Sequence, residues 1–380
     1  MTDSETRLLS LDALLADVSA EAPCGDDTRE DASPLSPYFT LKDLRNQARA
    51  LERQTLSDEE APQIPQWRQL VEDIPPLLES RTKDLEFVAW LIEALCREHG
   101  FAGLSEGFEL ARAMIERYWE NLYPSPDEEG LATRLAPLVG LNGADGDGTL
   151  IKPIISVPLF SGADGLSSFA TWHAEQSAEV SRLDEDKAQS RIRSGAVAPD
   201  ELMAAAQETP VEDLVATKAA ITRASEAFTA LSEVMDRVMD DPQPTTNIRK
   251  ALERCQMMLN HHAGERIEQH LATQRDVAAA ETEEDSGAEG DSATPARKSA
   301  GVDPVQVAIE SRQEALVQLQ RLSDFFRKTE PHSPVSYAIT RAVRWSELSL
   351  PELMAELISD SGARDGFFQL TGVPAPESRE

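Results

Sequence analysis

Apolar positions recur at helical spacing through most of this chain. The strongest run is 81–124, RTKDLEFVAWLIEALCREHGFAGLSEGFELARAMIERYWENLYP, where Leu85, Val88, Ile92 and Leu95 line one face of a helix predicted over 82–99. Asp84 and Glu86 stand at its positive start, and Gly100 follows His99 as a stop. After Gly103, the residues Leu104, Phe108, Ala111, Ile115 and Tyr118 or Trp119 form a second stripe that Pro124 closes. Two amphipathic helices on a short loop pack antiparallel, and each large side chain buried between them contributes roughly 1.5–3 kcal/mol. This hairpin therefore seeds a core expected to hold Leu85, Trp90, Ile92, Phe108, Ile115 and Trp119.

Elsewhere the same spacing predicts a short helix capped by Ser10, with Leu11, Leu14, Leu15 and Val18 on one face, ending in the turn Pro23-Cys24-Gly25-Asp26-Asp27. A further helix over 37–53 carries Phe39, Leu41, Leu44, Ala48 and Leu51; the next, with Trp67, Leu70, Val71, Ile74, Leu77 and Leu78, is expected to kink or break at Pro75-Pro76. The run from Leu141 to Phe160 reads as a Gly/Asp turn before a short extended apolar connection, and 184–199 as a charged helix. Thr209-Pro210-Val211-Glu212 reads as a capping box opening a long helix. Its residues Leu214, Ile221, Phe228 and Met235 repeat every seven positions. A second long helix over 246–275, with Ile248, Leu252, Cys255, Leu259 and Leu271, makes a hairpin that could pair with a copy of itself. Residues 278–301 hold no large apolar group and read as a flexible acidic linker. Starts at Asp303-Pro304, Ser333-Pro334 and Ser349-Leu350-Pro351 then predict a three-helix C-terminal domain.

The expectation is an all-α, multi-domain protein with little sheet, divided into 1–185, a middle hairpin 186–277, the linker 278–301 and a C-terminal domain 302–380. Charge narrows the partners: 36 Lys plus Arg against 68 Asp plus Glu leave −32, a field that repels nucleic acid and anionic lipid. No stretch approaches the length of an apolar membrane span, and no signal-type segment opens the chain, so membrane insertion is not expected and a cytoplasmic location is. Cys24, Cys96 and Cys255 are far apart and form no CxxC pair, which suggests neither disulfides nor a thiolate metal site.

Candidate chemistry is sparse. Asp145 and Asp147 suggest a calcium loop, but Leu150 stands where that loop needs glycine and Ser156 where it needs a bidentate glutamate. His261 and His262, adjacent on a helix, diverge by about 100°, and with His270 they match no metal spacing. Nucleotide-binding, hydrolase, zinc-protease and kinase motifs are missing, so no catalytic, metal or cofactor-binding residue is assigned and no cofactor is expected.

Several words of the sequence carry a resemblance. PCGDD, KDLEFVAWLIEAL, GFAGLSEGFELA, RYWENLYP and LNGADGDGTLIKPIISVPL are similar to the ImpA-type N-terminal domain of TssA proteins of bacterial type VI secretion systems. TEPHSPVSYAITRAVRWSELSLPELMAELI, from Thr329 to Ile358, resembles the C-terminal segment of the shorter TssA class. The resemblance implies a non-enzymatic cytoplasmic assembly factor, a ring-like homo-oligomer built through its C-terminal domain that contacts baseplate, sheath and tail-tube proteins. On that reading the segment from Glu330 through His332 to Trp345 helps to build the subunit contact. Tyr337, Arg341 and Arg344 share a helix face, and with Trp345 they are of the residue types that dominate interface hot spots. Against it, Trp345 is a core residue and the arginines a solvated face beside Glu347 and Glu352. A monomeric helical adaptor and a hydrolase or metal enzyme on a helical fold are the competing classes.

Overall fold

The computed structural model describes residues 7–55 and 64–284 apart from 129, 145 and 163–166, and then 320, 323, 326, 327, 335–345 and 353. Two compact units emerge, Met1–Glu289 and Gly290–Glu380. In the first unit the helices are α1 (Leu11–Leu14), α2 (Pro37–Thr55), α3 (Pro65–Ser80), α4 (Leu85–Tyr118), α5 (Ala132–Asn142) and α6 (Ile151–Ser156). Strands β1 (Pro158–Ser161) and β2 (Ser168–Ala170) follow, then α7 (Thr171–Val180), α8 (Glu185–Arg193), α9 (Pro199–Glu208), α10 (Val211–Met239) and α11 (Thr246–Glu284). In the second unit α12 spans Val335–Trp345. Among the described residues the architecture is all-α with one small sheet, antiparallel, pairing Phe160 with Phe169 and Ser161 with Ser168.

Helix α4 is the centre of the first unit, and its first half is apolar on every side because every side is covered. Phe87, Trp90, Leu91, Ile92 and Leu95 are all buried. The expected hairpin is present, but its loop shrinks to one residue: Gly100 alone leaves helical geometry (φ 56°, ψ −136°), a left-handed conformation open to glycine, and the second half resumes at Phe101. The halves then approach so closely that a side-chain carbon on Gly107 would lie 2.8 Å from Ile92 Cγ1. Leu85, Trp90, Ile92, Phe108 and Ile115 are buried as expected, and Trp119 packs half-buried at the edge.

Other expectations are corrected. Helix α3 runs unbroken through Pro75-Pro76. The buried side chains of Trp67, Leu70, Ile74 and Leu78 along it, at roughly 1.5–3 kcal/mol each, offset a proline cost of about 3 kcal/mol. On α2 the inward residues are Tyr38, Leu41 and Ala48, while Phe39 and Leu51 are each 38% exposed. The extended connection expected before Phe160 is helix α6 for most of its length, with Ile151 and Ile154 buried. Thr209 does not cap α10; its hydroxyl donates to Ala205 O (2.7 Å) and accepts from Ser161 N (3.0 Å), tying α9 to β1. Helices α7 and α9 come without a sequence expectation of their own.

The seven-residue stripe of α10 is used within the chain rather than on a second copy. Leu214, Ile221, Phe228 and Met235 are buried where α10 lies along α4 and α11, and the Phe228 ring sits 5.0 Å from that of Phe108. The middle hairpin thus shares one hydrophobic core with the helices before it. Helix α11 continues to Glu284, into the stretch expected as linker. Asp145, the rest of that linker, and most of the first and third helices expected in the C-terminal domain lie outside the described residues.

Candidate functional site

Two buried carboxylates on α4 organise the polar chemistry of the first unit. Glu93 is fully buried, one turn below Ala89 and Trp90. From α2, Arg45 Nε donates to it at 2.6 Å, and Arg49 closes on its other oxygen. Burial works to raise the Glu93 pKa, but the two guanidiniums outweigh it and hold the carboxyl below its ordinary value. The seam continues one turn on, where Arg97 binds Glu52 through both carboxylate oxygens (2.9 and 2.8 Å) and lies 4.0 Å over the Trp67 ring. Helices α2, α3 and α4 are thereby locked in register.

At the start of α4, Asp84 is the N-cap, its carboxylate accepting from Glu86 N at 2.8 Å. Its cation is Arg29, 2.8 Å away but poorly aligned for a hydrogen bond. The same guanidinium also serves Asp27 and Glu86, both at 3.1 Å. Burial dominates and pushes the Asp84 carboxyl up to about 6, against the pull of Arg29. Next to it Lys83 is wholly buried, and its ammonium donates to Leu14 O (2.8 Å) and Leu78 O (2.6 Å), closing the C-terminal ends of α1 and α3. Burial lowers its pKa.

The segments that carry the resemblance meet here. Cys24 O accepts from Lys83 N (2.8 Å), Arg81 O from Asp26 N (3.0 Å), Lys83 O from Tyr123 N (3.0 Å) and Tyr123 O from Leu85 N (2.8 Å). The Tyr123 hydroxyl reaches back to Gly25 O at 3.1 Å. A second junction is made by LNGADGDG: Asn142, buried, accepts Ile248 N on its side-chain oxygen (2.9 Å), so it caps α11 from more than a hundred residues away. Asn247 returns bonds to Asn142 O and Gly146 O, each at 3.1 Å.

These groups hold helices together, and no group among them combines a nucleophile with a base. Burial raises the thiol of Cys24, and pushes those of Cys96 and Cys255 up to about 12 and about 11, so all three stay protonated. His262 packs edge-on against Phe160, and burial lowers its pKa. His173 accepts from Ala170 N at 3.0 Å and is pushed down to about 4 by burial, a neutral ring serving the start of α7. Among the described residues no three His, Cys, Asp or Glu side chains are grouped to hold a metal ion, and no helix is long and apolar enough to cross a membrane.

Of the residues expected at a subunit contact, Glu330 and His332 lie outside the described residues. Tyr337 on α12 is 65% exposed, Arg341 and Arg344 are exposed, and Trp345 is half-buried with the Arg341 guanidinium 5.0 Å over its ring. The opposite side of α12 turns to its own unit: Thr340 bonds Ser323 at 2.6 Å and accepts from Arg327 at 3.3 Å, with Ile339 and Val343 half-buried. The indole N–H of Trp345 is buried without a hydrogen-bond partner.

Residues 15–143, the span from just after α1 to the Asn142 junction, match the family described as ImpA, N-terminal, type VI secretion system. This span resembles an ImpA-type N-terminal domain. The chain is also 26% identical over 383 residues, 98% of its own length and 100% of the other, to the type VI secretion system component TssA1 of Pseudomonas aeruginosa. A solved structure of the N-terminal domain, including the conserved ImpA_N region, of the TssA component from Burkholderia cenocepacia aligns with TM-score 0.56 and 26% identity. It covers 94% of that chain and 67% of this one, well past residue 143. The likeness to TssA therefore runs nearly end to end and is not confined to the ImpA-type domain.

Proposed function

We propose that this protein is a non-catalytic structural component of a type VI secretion system, a TssA-like cytoplasmic assembly factor that forms a ring-like homo-oligomer and contacts baseplate, sheath and tail-tube proteins. The observation that carries the reading is the likeness to TssA1 over nearly the whole of both chains. Two features of the molecule support it. The polar groups of the ImpA-type domain are committed to helix caps and ion pairs, as suits a rigid scaffold. On α12, Tyr337, Arg341 and Arg344 present an aromatic and cationic face outward while Thr340 and Val343 face their own unit.

Sedimentation and light scattering on the full chain test this reading. At micromolar concentration the expected species is a large homo-oligomer, which Arg341→Glu dissociates while the helical circular-dichroism signal is kept. A folded monomer across that range would overturn the ring and favour the monomeric adaptor.

A further inference from the structure

Residues 7–9 are strapped across the second half of α4 by a single carboxylate. Glu106 accepts Leu8 N at 3.0 Å on one oxygen and Leu9 N at 2.7 Å on the other, and Leu9 is buried. Between this strap, the turn of α4 and α10 lies a cavity of about 410 Å³, lined also by Arg7, His99, Ala102, Ser105, Glu109 and Arg223.

The cavity holds an unpaired hydroxyl. Ser105 is 5% exposed, borders the cavity, and makes no hydrogen bond to any described residue. Helix serines commonly return their proton to the carbonyl four positions back, as Ser225 and Ser232 do on α10 at 3.0 and 2.8 Å. Ser105 does not, so a group brought into the cavity supplies the partner it lacks.

The charged groups decide what that group is. Both oxygens of Glu106 are taken by amides, whereas Arg7, its side chain 61% exposed, stands 3.8 Å from Glu109, too far for a hydrogen bond. The Arg7 donors therefore remain to be used. Arg223 brings a second guanidinium, and Ala102 lies in the first turn after the Gly100 break, so the positive end of that half of α4 also borders the cavity. The group that fits is an acceptor. With Glu106 and Glu109 at the edge it carries one negative charge, a carboxylate, since a phosphate dianion would be repelled twice over.

A small ligand is held by burying roughly 70–90% of its surface, and this cavity is too open for that, with Leu8 41% exposed beside Arg7. An extended peptide is not so limited. It can place one carboxylate inside and rest an apolar neighbour on Leu8. We propose that the cavity receives an aspartate or glutamate side chain from an acidic segment of a partner protein, the carboxylate accepting from the Ser105 hydroxyl and the Arg7 and Arg223 guanidiniums. The field of a chain carrying −32 repels such a segment elsewhere, so its capture is a property of this cavity. The site belongs to the first unit and does not depend on the α12 face.

Fluorescence anisotropy on the full chain tests it, with a labelled, end-blocked peptide Ala-Leu-Glu-Leu-Ala and its glutamine counterpart. The glutamate peptide binds about tenfold more tightly than the glutamine one. Ser105→Ala removes most of that difference, Arg7→Gln a smaller part because Arg7 is solvated, and Ala102→Glu, which sets a carboxylate in the cavity, abolishes binding. All three variants keep the helical circular-dichroism signal and the unfolding midpoint. Equal binding of the two peptides, no binding at millimolar peptide, or an affinity that Ser105→Ala and Ala102→Glu leave unchanged overturns the proposal. Competition by free succinate at the concentration of the peptide itself would make this a site for a small dicarboxylate and overturn the peptide reading.

Discussion

Glu93 and Asp84 are buried carboxylates nine positions apart on one helix, and they are held in opposite ways. Glu93 has two arginines to itself, both bonded to it, and its carboxyl is held below the ordinary glutamate value. Asp84 shares a single misaligned arginine with two other carboxylates, and its burial wins. Burial alone therefore does not set the charge state of a carboxylate; the number and alignment of its cations do. The Glu93 site is a lock between α2 and α4, whereas the Asp84 site is a cap that tolerates being neutral.

The largest effect expected from breaking this contrast is at Glu93. Glu93→Ala leaves Arg45 and Arg49 facing each other without their anion and should cost about 3–5 kcal/mol in urea unfolding of the full chain. A loss below about 1 kcal/mol would mean that the pair is solvated and the lock illusory. Next in size, Ile92→Ala beside it should cost on the order of 2–5 kcal/mol, and less if Gly107 can close on the space left.

The cap should respond far less to loss of its charge. Asp84→Asn keeps an N-cap oxygen and removes a poorly paired buried charge, so a change within about 1 kcal/mol at pH 7 is expected. The pH profile separates the two sites by sign. Asp84 has its folded pKa raised to about 6, so the folded state holds the proton more tightly; that stabilisation is full below the unfolded value and is lost as pH rises through about 6. Glu93 has its folded pKa lowered, so its contribution is present above the unfolded value and is lost as pH falls through the folded one. Unfolding midpoints should therefore decline between pH 5 and 7 in the wild type and flatten there in Asp84→Asn. An unchanged slope in that variant removes Asp84 as the cause. Smallest of all, Arg97→Lys gives up the two-point bond to Glu52 and the stacking on Trp67, yet should cost only about 1 kcal/mol because the seam is partly solvated.

Much of the helical frame was legible in periodicity, because the stripes of α3, α4 and α10 are also their buried faces, while that of α2 is offset, with Tyr38 inward and Phe39 and Leu51 exposed. The partners of those stripes were not. The heptads of α10 fit a copy of the chain as well as they fit α4, since spacing records that a face is apolar and not what covers it. The polar sites go unread for a related reason: in a chain with 68 acidic residues, spacing alone does not single out the few carboxylates that are buried. The signal was nevertheless available, because LEFVAWLIEALC is apolar all round apart from Glu86 and Glu93, and a carboxylate inside such a helix requires a cation. Arg45 and Arg49, four apart on α2, were the candidates. Nothing local announces Asn142 as the cap of α11, since its partner is 106 positions away. On α12 the face shared by Tyr337, Arg341 and Arg344 was legible, and its role as a subunit contact rests on the oligomer measurements proposed above.

The junction of Asn142 with Asn247 and Ile248 has a mechanical meaning. Helix α11 is 39 residues long, about 58 Å, and is buried at intervals from Ile248 to Ile267. The asparagine bond fixes the point at which that rod enters the core, so its loss would be read out as a slip of register along the packed helix rather than as unfolding.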